Sequence, residues 1–305
     1  MAHHHHHEHK LSGFRLFITI LINIFITVAQ VIGALYSNSL SLLSDAMHNF
    51  SDVVALIVSW VANHLAGKDP DERKTFGYRR AEIIAALFNS AVLVGIAISL
   101  LYHAVLKLIK PEEVKSLIVI YLALLSIILN FLSVLIIKKD ASNNMNIKSA
   151  YLHLLTDVMT SVAVFVGGLV MLQWNLYYVD PIISIVIAVY LGKESFALVK
   201  ETIEVLMQFA PENIKIEDVK KGLEDFEFVD NVHHLHLWRL SDHEVFLEAH
   251  VDFKENISLE KATKEIEKME KFLNSNFGIT HVTLQSEFNR KDDKSLIKNH
   301  NNHRH

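Results

Sequence analysis

Residues 40–66 read LSLLSDAMHNFSDVVALIVSWVANHLA, an apolar stretch of helical length that nevertheless carries Asp45, His48 and Asp52. Five further apolar runs flank it, at roughly 14–36, 81–108, 117–137, 151–174 and 179–199. Each reaches about 20 residues, which as a helix rising 1.5 Å per residue covers a hydrocarbon core of about 30 Å. One or two such runs could be buried helices of a water-soluble protein. Six in series, separated by short polar joints, predict a membrane-embedded, all-α bundle of six transmembrane helices. The first run is too long for a signal-peptide core and no small-residue cleavage site follows it, so it is expected to remain in the mature chain.

Composition agrees with that reading. Of 305 residues, 51% are hydrophobic and 21% charged, so the apolar excess sits in the spans. The chain has no cysteine and 19 histidines. A disulfide scaffold, a thiolate zinc finger, an iron–sulfur centre and a cysteine nucleophile are thereby excluded, and imidazole and carboxylate remain as the strong metal ligands. A net charge of −5 argues against a nucleic-acid partner, which would call for a basic patch.

Lysine and arginine set the expected orientation. Lys10 and Arg15 lie at the N-terminal side of the first span, Lys68, Arg73, Lys74, Arg79 and Arg80 lie between spans two and three, and Lys138, Lys139 and Lys148 between spans four and five. The opposite side has Lys107, Lys110 and Lys115 alone. Both termini are therefore expected in the cytoplasm.

Beyond residue 199 the pattern changes. Residues 216–226 read as an amphipathic helix, 232–240 and 245–253 as strands, 259–277 as a charged helix and 281–288 as a last strand. The order αββαβ predicts a small cytosolic α+β domain, ferredoxin-like in its layering. The expected organisation is a His-rich tail over 1–12, a six-span domain over 13–208, a cytosolic domain over 209–289, and a polar, disordered tail over 290–305.

Titratable groups within the spans are costly, about 2.5–3.5 kcal/mol each on insertion scales, so each is a functional candidate. His48 precedes Asp52 by four residues, and His153 precedes Asp157 by four. That is one helical turn, so each pair projects from one face. Two such helices face to face would offer two imidazoles and two carboxylates, a tetrahedral nitrogen and oxygen set suited to Zn²⁺, with Co²⁺ or Cd²⁺ as competitors. A plain interhelical hydrogen bond explains one pair well but two poorly. Asp45, on about the same face, reads as an outer partner of the ligands, a proton carrier or a helix-start cap. Asn49 reads as packing between helices, and His64 and His103 as interfacial histidines.

The stretch from Gly33 through Ser37-Asn38-Ser39 to Ser44-Asp45-Ala46-Met47-His48 resembles the first-to-second span signature of the cation diffusion facilitator family. Phe76-Gly77-Tyr78-Arg79-Arg80-Ala81-Glu82, on to Asn89, resembles the family's entry to span three. His233-His234-Leu235-His236-Leu237-Trp238 and His281-Val282-Thr283-Leu284-Gln285-Ser286-Glu287 resemble its cytosolic domain. The resemblance covers residues 12–289 in order. It implies a homodimeric efflux transporter in the bacterial cell membrane that exchanges cytosolic divalent metal for protons. It also places the transport site at His48, Asp52, His153 and Asp157, in the zinc-transporting branch. It further implies a cytosolic metal site at His233, His250 and Glu287, with Zn²⁺ as a regulatory ligand. Gln285 stands where some bacterial members have a histidine ligand, which sets a mononuclear site against a binuclear one. His234, His236 and His281 offer the same chemistry, and strand alternation expects His234 and His236 to point together and His233 away.

Two histidine clusters close the chain: His3–His7 with His9, and His300, His303 and His305. They read as native sequence that raises the local metal concentration, with a cloning tag as the rival reading of the first. An enzyme is not expected, since no His-Glu-x-x-His appears. A carrier preferring Cd²⁺, Co²⁺, Mn²⁺ or Ni²⁺, or a metal sensor without flux, remains the alternative.

Overall fold

The computed structural model describes residues 6–66, 68–141, 145–241 and 244–297. Six long helices come first: α1 (His6–Ser37), α2 (Leu40–Ala66), α3 (Ala81–Ile109), α4 (Ser116–Ala141), α5 (Met145–Trp174) and α6 (Val179–Leu206). Among the described residues, α3, Ser116–Leu135 of α4, Leu154–Trp174 of α5 and α6 are long and apolar enough to cross a membrane, and Leu21–Ser37 of α1 is apolar but shorter. Several helices overrun the hydropathy-defined runs, α6 by two turns. Hydropathy marks an apolar window, whereas Lys, Glu and Met are good helix formers and carry the backbone ladder past it.

The chain divides into two compact units, Met1–Val61 with Ala85–Val199 and Ala62–Ile84 with Lys200–His305. The first is a helical bundle turned inside out relative to a water-soluble protein. Phe25, Leu35, Phe88, Ile98, Tyr121 and Val186 are exposed, while Gln30, Asp45, Ser90, Asn130, Ser161 and Ser184 are buried. That is the distribution a hydrocarbon solvent demands, and with the helix lengths it makes this a multi-pass membrane protein.

Small residues let its helices approach closely. A side chain at Gly33 of α1 would strike Leu122 of α4, and one at Gly168 of α5 would place its Cβ 2.8 Å from Ile120 Cγ1 of α4. Ser126 and Ser161 hydroxyls lie 2.9 Å apart across the α4–α5 seam. Helix α2 is held at its start. Ser39 Oγ accepts from the Leu42 N–H at 3.1 Å, an N-cap. The buried Asp180 carboxylate, from the first turn of α6, accepts from the Leu40 N–H at 2.7 Å, the Ser41 N–H at 3.2 Å and the Ser39 and Ser41 hydroxyls at 2.5 and 2.6 Å. Ser44 and Ser184 hydroxyls, 2.7 Å apart, continue this α2–α6 junction one turn along.

The second unit contains α7 (Ile216–Glu224), β1 (Val229–Arg239), β2 (Val245–Phe253), α8 (Leu259–Phe277) and β3 (His281–Glu287), the αββαβ order. The sheet runs β1-β2-β3, antiparallel between β1 and β2 and parallel between β2 and β3. Val219 and Leu223 of α7 and Met269 and Leu273 of α8 pack with Val232, Leu247, Ala249 and Val251 in one apolar core. Ser258 caps the start of α8, and Gly278 ends it at φ +68°, where a glycine avoids the Cβ clash. The joint before α3 belongs to this unit, with Phe76 edge-on to Phe246 at 5.6 Å and Arg79 paired with Glu244 at 3.8 Å.

Two expectations change here. Strand alternation fails between His233 and His236, where a register shift coincides with His234 at φ +49°, a bulge. His233 therefore does not turn away from its neighbours: the His233 and His234 rings both lie against that of His250, at 5.2 and 4.5 Å. The disordered tail expected from residue 290 does not hold over 290–297. That segment has no regular secondary structure, but Ser295 and Leu296 carbonyls accept from the His234 and Leu235 N–H groups at 3.1 and 2.8 Å, and Leu296 packs on the core. The bulge supplies the unpaired donors that fix it. Residues 298–305 and 1–5 lie outside the described residues, as do the side chains of His6, His7 and His9.

Candidate metal centre

In the helical unit, α2 carries His48 and Asp52 on one face, and α5 carries Asp157 opposite them. His48 Nε2 lies 3.3 Å from Asp157 Oδ1, and both side chains are buried. One donor atom from each of His48, Asp52 and Asp157 falls within 4.8 Å of the others. The Tyr190 ring of α6 stands edge-on to His48, centroids 6.3 Å apart. His153 lies on α5 one turn before Asp157, with its side chain outside the described residues. Tetrahedral Zn²⁺ with bonds of about 2.0–2.2 Å needs its ligand atoms roughly 3.3 Å apart, so a small inward movement would close this set. Its two carboxylates match the charge of a divalent ion, which lowers the cost of holding that ion at membrane depth.

Asp45 points into a different network. Its carboxylate accepts from Gln30 Nε2 of α1 at 2.6 Å and from Thr160 and Ser161 hydroxyls of α5 at 2.8 and 2.9 Å. Asn49 Nδ2 donates to Gln30 Oε1 at 2.8 Å, so the Gln30 amide bridges Asp45 and Asn49 of α2. Three donors occupy Asp45, which ties α1, α2 and α5 together beside His48. A helix-start cap is the one role the geometry assigns elsewhere, to Ser39 and Asp180. His103 Nδ1 is 2.8 Å from the Ser99 carbonyl on an exposed surface, and His64 is exposed.

In the α+β unit the register aligns His233, His250 and Gln285 in one row across the three strands, with Asp252 beside Glu287 two residues on. Leu247, Ala249 and Val251 face the helices, so this row lies on the other face. His250 Nδ1 is 2.9 Å from Glu287 Oε1, and His233 Nε2 is 3.6 Å from Glu287 Oε2. Gln285 donates to Glu287 Oε1 at 2.7 Å, orienting the carboxylate. A fourth group joins them: donor atoms of His233, His250, Glu287 and Asp292 all fall within 4.8 Å. The Lys294 ammonium, 2.6 Å from Asp292, holds that carboxyl down at about 2. Burial opposes the charge on Lys294, yet Asp252 and Asp292 beside it raise its pKa. Sequence reasoning missed Asp292 and Lys294, since nothing in the periodicity of 290–297 sets them apart. Their short distance in sequence from Glu287 was the available signal. The His234 and His236 rings meet edge-on, centroids 5.1 Å apart, beside this cluster, and His281 lies against Phe246.

The bundle and the αββαβ domain, each with a cluster of imidazoles and carboxylates, define a class: a multi-pass membrane protein with a cation-handling core and a C-terminal accessory domain. The chain belongs to the cation efflux family. Its residues 16–207 match the cation efflux transmembrane domain, and residues 211–288 match the cation efflux protein cytoplasmic domain. It is similar to a cadmium, cobalt and zinc/H(+)-K(+) antiporter of Bacillus subtilis (strain 168), 33% identical over 262 residues, 85% of this chain and 84% of the relative. The metal cation efflux system protein CzcD of Cupriavidus metallidurans is 32% identical over 260 residues, 85% of this chain and 82% of its own. The zinc transporter ZitB of Pectobacterium atrosepticum is 30% identical over 306 residues, 99% and 94% of the two chains.

Proposed function

We propose that this protein exports Zn²⁺ from the cytoplasm in exchange for protons, by alternating access at His48, Asp52, His153 and Asp157. The observation that carries the reading is the convergence of His48, Asp52 and Asp157 in the bundle interior, two buried and one half-buried. In the inward-facing state neutral imidazoles and ionised carboxylates capture the metal. After the helices rock, protons compete for the same atoms, because each ligand must be deprotonated to bind. The relatives' names, which mention cadmium, cobalt and zinc, support a substrate range that includes Cd²⁺ and Co²⁺ beside Zn²⁺.

The protein acts as a carrier rather than an enzyme, in the bacterial cell membrane, with both termini cytoplasmic. It works as a homodimer, with the domain beyond residue 208 contributing to the contact. That domain holds a regulatory divalent cation at His233, His250 and Glu287. The donor set fits such an ion: His233 is fully buried, and its Nε2 faces two carboxylates, Asp292 at 3.5 Å and Glu287 at 3.6 Å. The Nδ1 of the same ring faces Asp252 Oδ2 at 3.3 Å, the outer contact that orients a ligating histidine.

Zinc uptake into inside-out vesicles under an imposed proton gradient tests the transport reading. Asp157→Ala is expected to abolish uptake and Gln285→Ala to preserve it. Uptake by Asp157→Ala at the parent rate would overturn the assignment.

A further inference from the structure

The segment 290–297 wraps back over the sheet face that carries His233 and His250. It is pinned at its far end by the two backbone hydrogen bonds from the β1 bulge. Between its ends it delivers three charged side chains to the cluster. Arg290 meets Glu287 Oε1 at 2.6 Å and Asp292 at 3.5 Å. Asp292 Oδ2 comes 3.5 Å from His233 Nε2. Lys294 Nζ sits among three carboxylates, 2.6 Å from Asp292, 2.8 Å from Asp252 and 3.5 Å from Glu287.

We infer that this strap is part of the cytosolic site: Asp292 is a fourth ligand to one divalent cation, and Lys294 is a tethered cation standing where a second would otherwise bind. The inference rests on the reading of His233, His250 and Glu287 as metal ligands and goes beyond it. Two observations carry it. The first is geometric. Without Asp292 the cluster offers three groups, and with it two imidazoles and two carboxylates converge, the count a closed tetrahedral site needs. The second is electrostatic. Asp252, Glu287 and Asp292 bring three negative charges, and Lys294 and Arg290 return two. One divalent cation then leaves the cluster one charge positive, and a second would leave it three positive in a half-buried setting. A lysine held by three carboxylates on one side of a histidine pair therefore limits the site to one metal. Metal binding at Asp292 in turn fastens the strap to the sheet, so occupancy of the site is written into the order of residues 290–297.

Trypsin reads that order directly, since Arg290, Lys291 and Lys294 are cleavage sites within the strap. The full-length protein in detergent is digested with and without Zn²⁺, and cleavage after Lys291 is normalised to cleavage in the 68–80 joint. With zinc at ten times its Kd, mass action predicts about tenfold slower cleavage in the parent protein. Asp292→Asn is expected to lose that protection and Asp292→Glu, which keeps a carboxylate, to retain it. Equilibrium dialysis of Lys294→Gln is expected to show one more zinc bound per chain than the parent. Equal protection of Asp292→Asn and parent overturns the role of the strap. A Lys294→Gln protein that binds no additional zinc overturns the tethered-cation role. His233→Ala separates this from the underlying reading: protection that survives His233→Ala means the His233 centre itself is not a metal site.

Discussion

His48 Nε2 stands 3.3 Å from Asp157 Oδ1, so helices α2 and α5 meet through a buried imidazole–carboxylate contact that neither His–Asp turn supplies alone. The two helices thus share one donor cluster, and the identity of a single residue in it bears on metal choice.

Replacing His48 tests this. Imidazole suits zinc, whereas carboxylates suit harder ions such as Mn²⁺. His48→Asp is expected to lower the Zn²⁺ over Mn²⁺ preference by on the order of tenfold, the equivalent of about 1.4 kcal/mol at one ligand. Metal competition in the vesicle assay measures it, and an unchanged ratio would remove His48 from the ligand set.

Asp45 gives a contrasting expectation. Its carboxylate receives Gln30, Thr160 and Ser161, so it positions α2 against α1 and α5. Hydrogen bonds to a charged group contribute about 1.5–3 kcal/mol each. Thr160→Val should cost about that much in detergent unfolding and leave the zinc stoichiometry unchanged. Asp45→Asn should weaken zinc affinity while keeping the number of ions bound, whereas Asp157→Asn should reduce that number by one. A lost ion in Asp45→Asn would make Asp45 a ligand.

The six long helices were legible in the sequence because the solvent of the bundle is hydrocarbon, and hydropathy measures partition into it. Residues 40–66 and 259–277 coincide with α2 and α8 at both ends. The pairing of His48 with Asp52 was legible because a helix fixes what four residues of spacing mean. Asp180 and Gln30 were not, since their partners lie 141 and 15 residues away and a lone polar residue in a span carries no record of its partner. The strap was hidden for a related reason. Lys291-Asp292-Asp293-Lys294 has the composition of a solvated tail, and what orders it is a bulge at His234 that a period-two reading of β1 cannot contain.

Close packing predicts an asymmetry among the glycines. Gly168→Val would drive side-chain atoms into Ile120, and overpacking of this kind costs about 1–3 kcal/mol. Among the described residues nothing beyond its own helix backbone lies within 4 Å of a Cβ built on Gly95, and alanine is the better helix former, so Gly95→Ala should not lower the melting temperature. Thermal unfolding of both variants in one detergent decides it. Equal melting temperatures for Gly168→Val and the parent would mean the α4–α5 seam is looser than described.

The start of α2 offers a local readout. Asp180→Asn weakens an acceptor for the Leu40 and Ser41 N–H groups, and loss of a capping acceptor costs about 0.5–2 kcal/mol. Amide exchange at residues 40–43 should therefore accelerate by about 2- to 30-fold, with exchange in α8 unaffected. Unaltered exchange at those amides would show that Ser39 alone suffices as the cap.

That same carboxylate has a consequence for the cargo. A helix of this length carries a partial positive pole of about half an elementary charge at its N-terminus. For α2 that pole lies at Leu40, on the side of the bundle opposite the start of α1, eight residues before His48. Left bare, it would repel a doubly charged ion departing in that direction. The Asp180 carboxylate, held against the first turn, offsets that pole, so a cation passing this end of α2 is not repelled by it.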